Sequence, residues 1–162
     1  MRRRRMGLGL SIAVVILVLD QLSKWWILER VMQPPRLIEV TSFFNLLLVW
    51  NRGVSFGLFN NGAGWNVYVL PAVALIIVAG LAFWLWRVDR PLIAVAIGMI
   101  MGGAVGNVID RLRFGAVVDF LDVHAFDYHR PAFNIADSGI TIGAIILVAD
   151  SLFPRREHTT TP

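Results

Sequence analysis

The chain of 162 residues contains no cysteine, which excludes a disulfide framework, a thiolate metal centre and a cysteine nucleophile. Charge is scarce, at 16% of residues, where soluble domains carry about 25%. There is a single lysine, Lys24, against fourteen arginines. No low-complexity tract or internal repeat is present, so a solenoid is excluded. No serine sits in a nucleophile-elbow context, which leaves His124, His129 and His158 without a serine triad to complete. Ser23 and Lys24 are adjacent, and neighbouring side chains on a helix diverge, so a serine–lysine dyad is not expected either. Asp119, Asp122, His124, Asp127 and His129 are metal-ligand types, but their spacing matches no helical metal motif. Neither a metal nor another cofactor is expected.

Apolar residues fill this space. They make up 57% of the chain, and the mean hydropathy is +0.67, a membrane composition rather than a soluble one. Four runs, at about 7–28, 65–86, 91–109 and 135–153, have the roughly 20 residues needed to cross a bilayer as helices. The arginines cluster at alternate ends of these runs. Arg2, Arg3, Arg4 and Arg5 precede the first run, Arg87 and Arg90 fill the turn between the second and third, and Arg155 and Arg156 follow the fourth. The positive-inside rule then puts both termini in the cytoplasm and the loops at about 29–64 and 110–134 outside. The arginines form no soluble stripe, so a nucleic-acid partner is not expected. The first run resembles a secretory leader, but Asp20-Gln21-Leu22-Ser23-Lys24 follows it where a small-residue cleavage site would stand, so an uncleaved span is expected. Trp25, Trp26, Trp50, Trp65, Trp84 and Trp86 lie near run ends, as interfacial anchors do.

The outer loops have their own patterning. Pro34-Pro35 stops the first helix, and 37–50 is rich in β-branched and aromatic residues. With the turn chemistry of Asn60-Asn61-Gly62-Ala63-Gly64, this predicts a small β-structured platform on the outer leaflet. Residues 117–126 of the second loop read as one strand, with Asp119 sharing a face with Val117, Leu121 and Val123. The expected fold is therefore mainly α: one integral membrane domain of four transmembrane helices with an extracytoplasmic β platform. Gly98, Gly102 and Gly106 recur every fourth residue, leaving a groove for close helix approach, and Asp110 continues the row.

The remaining polar residues are few and placed where charge is costly, which makes them functional candidates. Asp20 and Lys24 stack at i,i+4 near the outer end of the first span. Asn51 precedes Gly53 and Gly57, which permit a turn or a close backbone approach. Asn107, Asp110 and Arg111 share a helix face. Asp119 and Asp137 flank the second outer loop, 18 positions apart. Two carboxylates that converge cannot both ionise easily and hold a shared proton. Such a pair can activate water with one member and protonate a leaving amine with the other. A small transporter or proton relay using Asp20, Asp110, Asp119 and Asp137 is the alternative, but these residues gather near one membrane face rather than forming a relay across it.

Five blocks occur in order: Asp20-Gln21-x-Ser23-Lys24, Asn51-x-Gly53-x-Ser55-Phe56-Gly57, Gly102-Gly103-x-x-Gly106-Asn107-x-x-Asp110-Arg111, Val117-Val118-Asp119-Phe120 and Phe133-Asn134-x-Ala136-Asp137. Together they resemble the bacterial lipoprotein signal peptidase family, signal peptidase II, over residues 7–153. The resemblance implies an aspartic endopeptidase of the bacterial cytoplasmic membrane with its active site at the outer face. Its implied substrate is a prolipoprotein whose lipobox cysteine carries a diacylglyceryl group, cut just before that cysteine. It implies Asp119 and Asp137 as the catalytic pair. Asp20, Lys24, Asn51, Gly103, Asn107, Asp110, Arg111, Asn134 and Ala136 are implied as supporting or substrate-binding residues. Membrane lipid and cyclic peptide inhibitors such as globomycin are the other partners it implies, and a monomer would suffice.

Overall fold

A computed structural model describes residues 2–53, 66–125, 128–129 and 131–152. Helix α1 spans Arg2–Trp26 and widens into one π-type turn at Ile27–Val31. Strands β1 (Ile38–Thr41) and β2 (Phe44–Asn51) follow, then helices α2 (Asn66–Arg87) and α3 (Pro91–Phe114), strands β3 (Val117–Ala125) and β4 (Tyr128–His129), and helix α4 (Ile135–Leu152). All four helices are long and apolar enough to cross a membrane. The turn residues at 60–64, Trp65, and Ser55, Phe56 and Gly57 lie outside the described residues.

Helix α3 is the centre of the bundle. Of its apolar window 61% is buried, against 6% in α2 and 17% in α4, so the other helices pack around it and turn most of their surface outward. The glycine row is what permits this. A Cβ on Gly98 would overlap the Gly9 carbonyl of α1, and one on Gly102 would overlap the Ala13 carbonyl. On the neighbouring face, a Cβ on Gly103 would overlap the Ala136 carbonyl of α4. In lipid, where water supplies no drive for helices to associate, such close backbone approach gives the packing contact. Leu85, Val88, Ile93, Ala94, Ile97 and Met101 form a core cluster toward the α2–α3 turn.

A Gly102→Leu substitution should force α1 away from α3. We expect destabilisation of about 1–3 kcal/mol or more, in the range of core overpacking. Gly80, with open space around its Cβ position, should accept alanine without loss. Thermal unfolding of the two detergent-solubilised variants checks the contrast.

The β structure is present and draws on both outer loops. Its strand order is β1-β2-β3-β4, with β2 antiparallel to β3 through pairs such as Asn51↔Val117 and Val49↔Asp119. The platform is thus completed by the second loop as well as the first. Ile27, Met32 and Phe120 pack beneath it with Ile38, Leu46, Leu48 and Ile135, fixing the sheet to the bundle. Burial is continuous from Val117 to Phe120 rather than alternating, because the strand is covered on both faces.

Two boundaries move. The third span does not end near residue 109: α3 runs through Asp110, Arg111 and Arg113 to Phe114. It stops at Gly115, whose φ of 70° is left-handed and whose N–H caps the Arg111 carbonyl at 3.0 Å. The first span likewise continues to Val31. Asp110 and Arg111 are therefore residues of the helix, not of the loop.

Candidate functional site

The site forms where the outer ends of α1, α3 and α4 meet the β2–β3 ladder. Within it Lys24 is only 3% exposed. Its ammonium donates to Asp20 Oδ2 at 2.8 Å, to Asn107 Oδ1 at 3.2 Å, and pairs with Asp110 Oδ2 at 2.7 Å. These are three acceptors for three N–H bonds, as a buried ammonium requires. The i,i+4 pairing of Asp20 and Lys24 is thus joined by a second carboxylate from α3. The Ser23 hydroxyl donates to the Asp20 carbonyl within the helix at 2.8 Å.

Each acid of this network holds another element in place. Asp20 Oδ1 accepts the N–H of Ala136 at 2.9 Å, satisfying a donor in the first turn of α4 that has no intrahelical partner. Asp110 Oδ2 accepts the N–H of Val118 at 3.1 Å, tying α3 to β3 one residue before Asp119. Gln21, absent from the candidate residues above, bridges the two acids. Its Nε2 donates to Asp20 Oδ2 at 3.2 Å, Asp110 Oδ1 at 3.0 Å and the Gly106 carbonyl at 3.3 Å. The available signal was its place among the few polar residues of an otherwise apolar span. Gly106 leaves room for this arrangement, because a Cβ there would stand 2.5 Å from Asp20 Oδ2.

Asn134 joins this scaffold to the two candidate catalytic acids. It precedes α4 and its Oδ1 accepts the Asp137 N–H at 2.9 Å, while Asp137 Oδ2 accepts the Asn134 N–H at 3.3 Å. This is a reciprocal capping arrangement with the acid three residues into the helix. The Asn134 amide also donates to Asp119 Oδ1 at 2.7 Å and lies 3.3 Å from Asn107 Oδ1 and from the Val118 carbonyl. One asparagine therefore contacts both carboxylates. Asn107, oriented by Lys24, donates its Nδ2 to Asp137 Oδ1 at 2.8 Å. Asn51, at the end of β2, donates to Asp119 Oδ2 at 3.0 Å and accepts the Gly53 N–H at 3.1 Å.

The two acids differ in setting. Asp119 is 1% exposed on β3. Burial, reinforced by the nearby charge of Asp137, pushes its pKa up to about 7 against the opposing pull of Asn51, Asn134 and Lys24. Asp137 lies in the first turn of α4. Arg111 reaches from α3 to the Gly53 carbonyl at 3.0 Å and to the Asn107 carbonyl at 3.4 Å. Its Nε is buried with no partner among the described residues. Asp20, Lys24, Asn51, Asn107, Asp110, Arg111, Asn134 and Ala136 thus meet around Asp119 and Asp137. Gly103 provides the close approach of α3 to α4. Asp122 and His124 lie farther along β3, with Asp122 accepting from Asn45 at 3.0 Å. Among the described residues no group of three metal-ligating side chains forms.

A family model described as signal peptidase (SPase) II matches residues 12–153. The chain is 45% identical to a lipoprotein signal peptidase of Rhizorhabdus wittichii, covering 91% of this chain and 87% of that protein. It is 44% identical to the lipoprotein signal peptidase of Burkholderia cenocepacia, covering 88% and 86%. Its fold is similar to a bacterial membrane enzyme solved by the in meso method at 2.3 Å resolution, with a TM-score of 0.79, 31% identity, and 96% and 95% of the two chains covered. A second bacterial membrane enzyme, at 1.9 Å resolution, aligns with a TM-score of 0.75 and 32% identity over 92% and 94%.

Proposed function

The chain belongs to the signal peptidase II family, and from that premise we propose that Asp119 and Asp137 are the catalytic pair with which it cleaves prolipoproteins. It is a multi-pass membrane aspartic endopeptidase. It removes the signal peptide from diacylglyceryl-modified prolipoproteins by cutting just before the lipidated cysteine. The observation that carries the residue assignment is the contact of both carboxylates with Asn134.

In this mechanism the pair holds one proton, drawn on Asp119, whose burial opposes ionisation, with Asp137 at the start of α4 as the base. The Asp137 carboxylate takes a proton from water as the water oxygen bonds to the scissile carbonyl carbon. Asp119 gives its proton to the carbonyl oxygen, and a neutral gem-diol results. Asp137 then passes its acquired proton to the amide nitrogen, a gem-diol hydroxyl returns its proton to Asp119, and the C–N bond breaks. The products are a carboxylic acid on the signal peptide and a free amine on the lipidated cysteine, and the pair has regained its single proton. Acid–base assistance of this kind contributes about 10²–10⁴-fold.

The supporting roles follow from the contacts. Asn51, Asn107 and Asn134 hold the acids in orientation. Lys24 fixes the polarity of the Asn107 amide by occupying its oxygen, so that its N–H groups face Asp137. Arg111 ties α3 to the backbone after β2 through the Gly53 carbonyl, beside the Asn51 that orients Asp119. The chain acts as a single integral membrane unit in the cytoplasmic membrane, with both termini inside and the sheet and site outside. A monomer suffices because one chain supplies every group. Acyl chains of the substrate lie in the surrounding lipid, and a cyclic peptide such as globomycin would compete for the same groove.

Cleavage of a diacylglyceryl-modified lipobox peptide, compared with its unlipidated counterpart, tests this function. The lipidated peptide should be cut on the N-terminal side of the cysteine, and the unlipidated one left essentially intact. Equal cleavage of the two would remove the lipid from the specificity.

A further inference from the structure

Two backbone N–H groups tie the candidate acids to the network beneath them. Ala136 immediately precedes Asp137, and its N–H donates to Asp20 Oδ1 at 2.9 Å. Val118 immediately precedes Asp119, and its N–H donates to Asp110 Oδ2 at 3.1 Å. The separation of Asp119 from Asp137 therefore follows that of Asp20 from Asp110. Like charge drives these two buried carboxylates apart, and two groups bridge them. Lys24 bridges with a charge, meeting Oδ2 of each acid at 2.8 and 2.7 Å. Gln21 bridges without one. Its Nε2 donates to Asp20 Oδ2 at 3.2 Å and, 89 positions away, to Asp110 Oδ1 at 3.0 Å. The same nitrogen lies 3.3 Å from the Gly106 carbonyl, so the amide also ties α1 to α3 at the level of the acids.

We propose that Gln21 is a positioning residue for peptide hydrolysis, holding Asp119 and Asp137 at their working separation through the two acids it bridges. This role rests on the assignment of Asp119 and Asp137 as the catalytic pair. Gln21 acts through Asp20 and Asp110 and takes no part in proton transfer. A misplacement of about 1 Å between reacting groups costs about 10²-fold in rate. The acyl chains and the rest of the peptide bind as before, so the loss falls on kcat and not on KM. The proton of the pair responds too. Asp119 faces Asp137 from α4, Lys24 from α1 and Arg111 from α3, beside the neutral Asn51 of β2. Of these charges only that of Asp137 favours the protonated form, so a wider separation releases the proton at lower pH.

Steady-state cleavage of the diacylglyceryl-modified lipobox peptide by the full chain in detergent tests this. Gln21→Met, close in volume but without a donor, should lose about 10²-fold in kcat with KM unchanged. The alkaline limb of its kcat/KM profile should move to lower pH, which a smaller folded fraction cannot produce. Gln21→Asn, whose amide falls one methylene short, should show the same pattern to a smaller extent, and it carries the test if Gln21→Met does not fold. Ser23→Ala, which removes a hydrogen bond within the same helical turn, should keep the wild-type kcat. Wild-type kcat in the Gln21 variants, a loss confined to KM, or a lowered kcat with the alkaline limb unmoved would each overturn the proposal. Cleavage by Asp119→Asn at the wild-type rate would overturn the catalytic pair, and this role with it.

Discussion

Asp119→Asn and Asp137→Asn are each expected to reduce cleavage of a lipidated lipobox peptide by about 10³-fold or more, with the membrane fold retained. Asparagine fills nearly the same volume but can neither accept water's proton nor deliver one to the leaving amine. Because the two acids act as one unit, the double substitution should be little worse than either single one. The folding consequences separate catalysis from structure. Asp119 has an ordinary pKa near 3.8 and is raised to about 7 in the folded chain, so its contribution to stability is full below about pH 4 and is lost as pH rises through about 7. The Asp119→Asn variant does not titrate at that position. Its stability relative to the wild-type chain should therefore rise with pH across this window, while its activity stays absent. Thermal unfolding at several pH values, run beside the cleavage assay, reads both.

Lys24→Met is the second large effect, and here the fold itself is expected to suffer. Lys24 is the ammonium that stands between Asp20 and Asp110, at 2.8 and 2.7 Å, and all three side chains are at most 3% exposed. Removing it leaves two buried carboxylates facing each other without a counter-charge, and breaking a buried pair in this way costs about 3–5 kcal/mol. Asp20 also holds the first turn of α4 through Ala136, and Asp110 holds β3 through Val118, so the elements that carry Asp137 and Asp119 are both disturbed. Neutralising the acids together with the lysine, as Lys24→Met/Asp20→Asn/Asp110→Asn, should recover part of the lost stability but little of the activity, because Asn107 is no longer oriented. A triple variant as unstable as Lys24→Met would contradict this account.

The legibility of the sequence was uneven for physical reasons. The four spans were plain because apolar runs of bilayer length have few other uses. The Asp20–Lys24 pair and the glycine row were legible because helical periodicity fixes which side chains share a face. The end of α3 was misplaced because Asp110, Arg111 and Arg113 interrupt the apolar run. In the fold, Asp110 is neutralised by Lys24 and Arg111 is bonded to Gly53, so the helix continues to the left-handed Gly115. Long-range partners were not legible at all. Asp20 meets the Ala136 N–H across 116 positions, and β2 meets β3 across a whole helical hairpin. No local pattern could have specified the capping role of Asp20, or the reach of Gln21 to both acids.

The most direct test of the shared-proton pair is the pH dependence of kcat/KM for the lipidated peptide, which reports the free enzyme's acid and base. In the proposed mechanism the pair works with one proton, so the profile should be bell-shaped, with an alkaline limb near pH 7 that falls about tenfold per pH unit above it. That limb corresponds to loss of the proton held at Asp119. A rate that stays level or climbs between pH 7 and pH 9 would contradict the account.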